Sequence, residues 1–159
     1  MGWLSELLRG EPEPPAPAAP ARAAIRDDLP FLKGAVADLV REINASAGRL
    51  PSVAVVSSRR ITDTLASVLD LGAEQDLRVD TRMAIRGIVT DYLPTTLRTY
   101  VKAERAGEAS AADELRKQVD ELSRAAHRLL EAVQSHDKDA QRAQGLFLES
   151  KYRGEGERW

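Results

Sequence analysis

The sequence predicts an all-α protein, and three observations favour this fold class. From residue 27 onward, apolar residues recur at alternating intervals of three and four, which is the spacing of one helix face. Residues that favour helix N-termini, namely Asp28, Asp80 and Ser110, precede several of these stretches. The composition, 43% hydrophobic and 30% charged, lies in the globular range, so one domain with its own core is expected. We predict an antiparallel helical bundle of about five helices with a Pro-kinked central helix.

The beginning of the chain, MGWLSELLRG, predicts a short amphipathic helix in front of the bundle. Its apolar residues lie on one side at helical spacing: Trp3, Leu4, Leu7 and Leu8. A helix this short is marginal alone in water, because about 12 to 15 residues are usually needed, so it is expected to order only against another surface. The prolines that follow predict an extended, disordered linker. The predicted organisation is a peptide (1–10), a Pro/Ala-rich linker (11–24), a helical bundle (25–152) and a frayed tail (153–159).

The first two helices of the bundle are predicted from their apolar stripes and glycine stops. Asp28 is a candidate N-cap, and Pro30 fits the first turn. The first stripe consists of Leu29, Leu32, Val36, Leu39 and Ile43, and the second of Ile61, Leu65, Val68 and Leu69. Gly48 is expected to end the first helix and Gly72 the second. The second helix begins with SVAVV, which also has the composition of a short strand.

The stretch TDYLPTTLRTY places a proline inside the third predicted helix, 79–105. Its face continues on both sides of Pro94 and consists of Ile85, Ile88, Val89, Tyr92, Thr96, Leu97, Tyr100 and Val101. Inside a helix, Pro94 removes the hydrogen bond to the Thr90 carbonyl and bends the axis, at a cost of about 3 kcal/mol. We predict a kinked helix in which the Thr95 and Thr96 hydroxyls bond to carbonyls of the preceding turn. Two separate helices, or an exposed loop at the break, are the alternatives.

The last part of the bundle is predicted to hold two helices. Ser110 and Asp113 have the spacing of a capping box, and the stripe that follows consists of Leu115, Val119, Leu122, Ala126, Leu129 and Val133. The polar stretch QSHDKDAQ is expected to break the helix, with Asp137 capping a final helix that ends near Tyr152. The 115–133 stripe fits either an internal core or a second chain, so a homo-oligomer is an alternative.

Composition and charge exclude several function classes. The absence of cysteine removes disulfides and thiolate metal sites and suits a reducing cytoplasm. No run approaches the roughly 20 apolar residues that cross a bilayer, and the N-terminus lacks the pattern of a secretory signal, so a cytoplasmic protein is expected. A net charge of -2 gives no general attraction for nucleic acid. Arg78, Arg82 and Arg86 recur every four residues, which fits contact with an anion or an acidic partner, or a solvated helix face.

The residues around the proline resemble a known bacterial family. The motif consists of Tyr92, Leu93, Pro94, Thr95, Thr96 and Leu97. With its flanking helices it is similar to XpaC-like proteins, whose family name is 5-bromo-4-chloroindolyl phosphate hydrolysis and which are often associated with toxic anion (tellurite) resistance proteins. The similarity covers residues 53–152 and includes Leu148 and Glu149 near the end. Family members usually carry hydrophobic membrane segments near the N-terminus, whereas this chain has an amphipathic peptide and a Pro/Ala linker there, so membrane spanning is not implied.

The family name implies phosphate-ester hydrolysis, but the residues do not supply its usual chemistry. Such a reaction needs a nucleophile or metal-bound water together with groups that stabilise charge. His127 and His136 are nine positions apart and do not form the i,i+4 pair of a helical metal site. Asp137 and Asp139 are better explained as favourable charge at a helix N-terminus. We therefore predict no catalytic, cofactor-binding or metal-binding residues.

These observations predict a non-catalytic interaction or adaptor protein, linked by the resemblance to envelope or toxic-anion stress. Its amphipathic peptide is expected to dock on a protein partner through the apolar face that contains Trp3 and Leu7. Three alternatives stay open. The peptide binds a membrane surface peripherally, it folds back on its own bundle, or the chain is a hydrolase, as the family name implies.

Overall fold

The computed structural model describes the backbone of residues 19–155 and the side chains of residues 28–146. This part of the chain is helical apart from short connections and contains no strand, which confirms the all-α fold class. The predicted peptide 1–10 lies outside the described residues. The first helix begins at Ala19, inside the predicted linker 11–24, because the alanines around Pro20 are strong helix formers and proline is compatible with a first turn.

The described residues form four long helices rather than the predicted five. These are α1 (Ala19–Ser46), α2 (Ser52–Glu74), α3 (79–105) and α4 (Ala111–Glu155). Within α3, two α-helical parts, Val79–Gly87 and Leu93–Arg105, are joined by a π-helical turn, Ile88–Tyr92. A 3-10 turn, Ala47–Arg49, lies between α1 and α2.

The predicted break at QSHDKDAQ is wrong, because α4 continues through it. Asp137, expected to cap a fifth helix, lies inside α4, where its carboxylate accepts a hydrogen bond from Gln141 Nε2 at 3.0 Å. The stretch is polar but contains neither glycine nor proline, so nothing in it terminates a helix. Pairs four residues apart, such as Asp137 and Gln141, stabilise a helix instead.

In the first half of the bundle, one prediction is confirmed and one is wrong. The SVAVV stretch is helical from Ser52, directly after Pro51, so the strand alternative is excluded. Gly72 does not end α2, which continues to Glu74. The glycine is instead required by packing, because a Cβ atom at this position would overlap the side chain of Leu77 in the following connection.

Helices α1 and α2 run antiparallel to each other. In the middle of α1, Lys33 Nζ lies 2.8 Å from an oxygen of Asp70, which is near the end of α2. At the opposite end, Arg59 Nη1 of α2 donates to Asn44 Oδ1 of α1 at 2.9 Å. These exposed contacts contribute little energy, but together they define the direction of the pair.

Helices α1 and α3 run parallel. Asp28 and Arg86 lie 4.0 Å apart at one end of the pair, and Glu42 and Arg98 lie 3.3 Å apart at the other. The short connection 106–110 then returns the chain as α4, which packs against α3 and along α2. Each helix therefore has two close neighbours around a shared core.

The core is built from the predicted stripes. The stripe of α1 is buried at Leu32, Val36, Leu39 and Ile43, and that of α2 at Ile61, Leu65, Val68 and Leu69. Every member of the 115–133 stripe is buried as well. This stripe therefore packs inside the bundle and does not offer an apolar face to a second chain.

The second part of α4 is exposed. Among the described side chains, Val133 is the last buried residue of this helix, and side chains 134–146 are exposed except for half-buried Asp137. At 1.5 Å per residue, the part of α4 from Val133 to its end at Glu155 is about 33 Å long.

The π-helical turn accommodates Pro94 within a continuous helix. The backbone N–H of Leu93 donates to the carbonyl of Ile88, five residues earlier, so the chain leaves the α-helical pattern directly before the proline. The Thr90 hydroxyl donates to the carbonyl of Arg86 at 2.8 Å. We predicted that the Thr95 hydroxyl bonds to a backbone carbonyl. It donates instead to a carboxylate oxygen of Asp91 at 3.4 Å.

Replacing Ser58 with alanine is expected to raise the free energy of unfolding by about 1 kcal/mol. Ser58 is 0% exposed, and its hydroxyl has no hydrogen-bond partner among the described residues. Alanine removes this unsatisfied group and is the better helix former. Urea denaturation followed by circular dichroism measures the change. The matched control is Ser67→Ala, an exposed position whose hydroxyl bonds to the Asp63 carbonyl at 3.1 Å. A larger loss at Ser58 than at Ser67 would contradict this expectation.

Candidate functional site

The main surface depression near the family motif lies between α1 and α3. This groove has a volume of about 440 Å³, and its lining includes Phe31, Gly34, Glu42, Thr90, Pro94 and Arg98. One wall is apolar, from Phe31 and Pro94, while Glu42 and Arg98 pair at its far end at 3.3 Å. The groove is therefore a mixed surface that suits a peptide better than a small polar molecule.

A smaller cleft of about 40 Å³ lies further toward the beginning of α3. It is lined by Asp28, Leu32, Val79, Arg82, Met83 and Arg86. Around it, large apolar side chains reach the solvent: Met83 is 64% exposed, Phe31 48% and Val79 41%. We call the groove, the cleft and these side chains the α1/α3 seam.

Arg86 connects the two depressions of the seam. Its guanidinium carbon lies 4.8 Å from the centroid of the Phe31 ring, within the range of a cation–π contact. The same guanidinium lies 4.0 Å from a carboxylate oxygen of Asp28. Both contacts come from α1, so Arg86 holds Phe31 in a defined position at the surface.

The three arginines predicted to form a basic line serve separate structural roles. Arg78 contacts the carboxylate of Asp80 at 3.2 Å. The guanidinium of Arg82 donates to the Leu77 carbonyl through Nη2 at 2.6 Å and Nε at 3.1 Å, which fixes the connection between α2 and α3. Arg86 lies on the seam. The structure therefore does not bring the three together around one anion. Arg82 and Arg86 both line the cleft of the seam, whereas Arg78 does not.

Residues 92–97, on which the predicted resemblance depends, contribute mostly to the core. Leu93, Pro94 and Leu97 are buried, and Pro94 also lines the groove. Tyr92 and Thr96 are half-buried, and the exposed Thr95 bonds to Asp91. The motif thus shapes the floor of the seam rather than gathering polar groups for chemistry.

The histidines lie apart from the seam. His127 is exposed, with Nδ1 2.9 Å from the Ser123 carbonyl oxygen, and His136 is exposed on the extension of α4. Within the described part of the chain, no three His, Asp or Glu side chains come together as a metal site would require. Among the same residues, none of the helices combines the length and the apolarity needed to cross a membrane.

Comparison with family models, curated proteins and solved structures finds no match to this chain. The resemblance of residues 92–97 to XpaC-like proteins therefore stays a prediction. The predicted partner-binding residues, Trp3, Leu4, Leu7 and Leu8, lie outside the described residues.

The sequence prediction did not include Phe31 or Met83 in the candidate site. A partial signal was present, since Val79, Met83 and Arg86 are spaced to share one side of a helix. This side differs from the buried face that contains Ile85 and Ile88. An apolar pair off the core face is the pattern that indicates an exposed patch.

Proposed function

We propose that this chain is a non-catalytic helical interaction protein, an adaptor that binds a protein partner. The observation that carries the proposal is the extension of α4, whose side chains 134–146 are exposed apart from half-buried Asp137. Helices in proteins gain most of their stability from packing rather than from intrinsic propensity. An extension of about 33 Å beyond Val133 is therefore typical of a surface that another molecule covers.

The partner is proposed to bind the apolar face of the N-terminal peptide as well. This face consists of Trp3, Leu4, Leu7 and Leu8, whose spacing suits docking of a helix into a groove. A partner that binds the peptide and the bundle together gains affinity, because the second contact forms within the same complex. The motif resemblance supports a role in envelope or toxic-anion stress in a bacterial cytoplasm.

Affinity capture from cells that express the protein naturally tests this proposal. The full chain is compared with a Leu4→Asp, Leu7→Asp variant and with a Val53→Asp, Val56→Asp control, which also places two acids at exposed apolar positions. We expect the peptide variant to lose a captured protein at least about tenfold, as when central apolar anchors are removed, while the control retains it. Equal capture by all three chains would contradict the role of the peptide.

Two further measurements separate the competing functions. In the first, the full chain and the peptide variant are each sedimented with anionic vesicles. Sedimentation of the full chain but not of the variant would indicate that the peptide binds a membrane surface rather than a protein partner. Phosphate release by the purified chain that disappears on His136→Ala or Asp137→Ala would contradict the non-catalytic proposal.

A further inference from the structure

The α1/α3 seam concentrates exposed apolar surface at one place. Of the six large apolar side chains that are exposed among the described residues, Phe31, Val79 and Met83 all lie there. Single exposed apolar residues are ordinary, but a cluster next to polar groups is typical of a binding surface.

The seam is continuous and ordered by its own contacts. Val79 and Met83 line the same cleft as Arg86, and Arg86 in turn contacts the Phe31 ring. Phe31 then lines the neighbouring groove with Pro94. From Val79 to Pro94, about 22 Å along α3, the surface alternates apolar side chains with Arg82 and Arg86. A ten-residue helix, about 15 Å long, fits within this length.

We propose that the seam binds residues 1–10 of the same chain. The peptide has the complementary chemistry, because Trp3, Leu4 and Leu7 form one apolar face with Glu6 beside it. On the seam, the Arg86 guanidinium is 4.0 Å from Asp28, so a second carboxylate can approach it without displacing the first. Trp3 and the leucines cover Met83 and Phe31, and Glu6 faces Arg86.

The length of the chain allows this contact. Helix α1 begins at Ala19, and Phe31 lies about 18 Å further along its axis. The eight residues 11–18, between the peptide and α1, span up to about 25 Å when extended. This reach exceeds the distance, and a glycine at position 10 permits the reversal of chain direction that the contact requires.

The inference rests on the proposed function in one respect, that residues 1–10 are a binding segment. It adds that a partner competes with the seam for this segment. Only chains whose peptide has left the seam can bind the partner through it. The apparent affinity for the partner is therefore the intrinsic affinity multiplied by the fraction of such chains. Binding at the seam therefore keeps the peptide from a partner until the partner concentration is high enough to compete.

Tryptophan fluorescence of the full chain tests the inference without a partner. The protein has two tryptophans, so Trp159→Phe leaves Trp3 as the only reporter. We expect Trp3 emission at shorter wavelength than in the urea-denatured chain, together with protection from iodide quenching. In the same background, Met83→Asp is expected to abolish both effects. The matched control, Val53→Asp, changes an apolar residue that is 70% exposed at the beginning of α2 and is expected to preserve both.

Each other outcome overturns the inference. Trp3 emission equal to that of the denatured chain would mean that the seam does not bind the peptide. An emission shift that survives Met83→Asp would place the peptide elsewhere, and a shift that disappears on dilution would assign it to the seam of a second copy. Met83 is 64% exposed, so its replacement is expected to leave the helical circular dichroism unchanged. Because no partner is present, failure here is distinct from failure of the capture experiment.

Discussion

Replacing Leu93 with alanine is expected to lower the free energy of unfolding by about 2–5 kcal/mol. Leu93 is 0% exposed and follows the π-helical turn Ile88–Tyr92 directly. Removing its side chain loses the transfer free energy of the buried carbons and leaves a cavity between helices that relax only partly. Urea denaturation followed by circular dichroism at the helical bands measures the loss.

The matched control is the same substitution at Leu146, which is 61% exposed on the extension of α4. It is expected to change the free energy of unfolding by less than about 0.5 kcal/mol. Similar small effects at both positions would contradict the inward orientation of Leu93. They would instead favour the face predicted from the sequence, which runs through Tyr92.

The difference between Tyr92 and Leu93 shows what periodicity can and cannot predict. An apolar repeat of 3.6 residues identifies the inner face of a regular helix, which is why Leu32, Val36 and Leu39 are buried as predicted. A π-helical turn adds a residue to one turn and rotates everything after it. Spacing alone carries no record of this extra residue, so the prediction placed half-buried Tyr92 on the face and omitted buried Leu93. Leu97, after the turn, is buried as predicted.

The number of helices was overestimated for a different reason. Polar stretches such as QSHDKDAQ resemble connections when they are judged by composition. Helix termination, however, depends most on glycine or proline, and α4 contains neither between Val133 and Gln141. The helix therefore continues through residues 134–146, although their side chains are exposed except for half-buried Asp137.

The candidate surface was the least predictable feature, because it belongs to two helices at once. Phe31 and Met83 are far apart in the sequence, and the parallel packing of α1 and α3 places them on one surface. There Arg86 lines a cleft with Met83 and contacts the Phe31 ring. The arginine spacing was visible in the sequence, but it could not distinguish Arg82, which holds the Leu77 carbonyl, from Arg86, which contacts the Phe31 ring.

Replacing Gly72 with alanine is expected to lower the free energy of unfolding by about 2 kcal/mol, although alanine is normally the better helix residue. A Cβ atom there would overlap the Leu77 side chain, including its branched Cγ. Leu77 is 6% exposed, and Arg82 holds its carbonyl with two hydrogen bonds, so neither its side chain nor its backbone can move easily. Thermal and urea denaturation measure the loss.

Two comparisons isolate the cause of this effect. Gly34→Ala places a methyl group in the middle of α1 with no atom within 4 Å, so it is expected to stabilise the protein by about 0.5–1 kcal/mol. In a Leu77→Ala background the overlap at Gly72 is removed, so Gly72→Ala should cost at least about 1 kcal/mol less than in the wild-type chain. An unchanged cost in that background would mean that backbone conformation, rather than contact with Leu77, requires glycine at position 72.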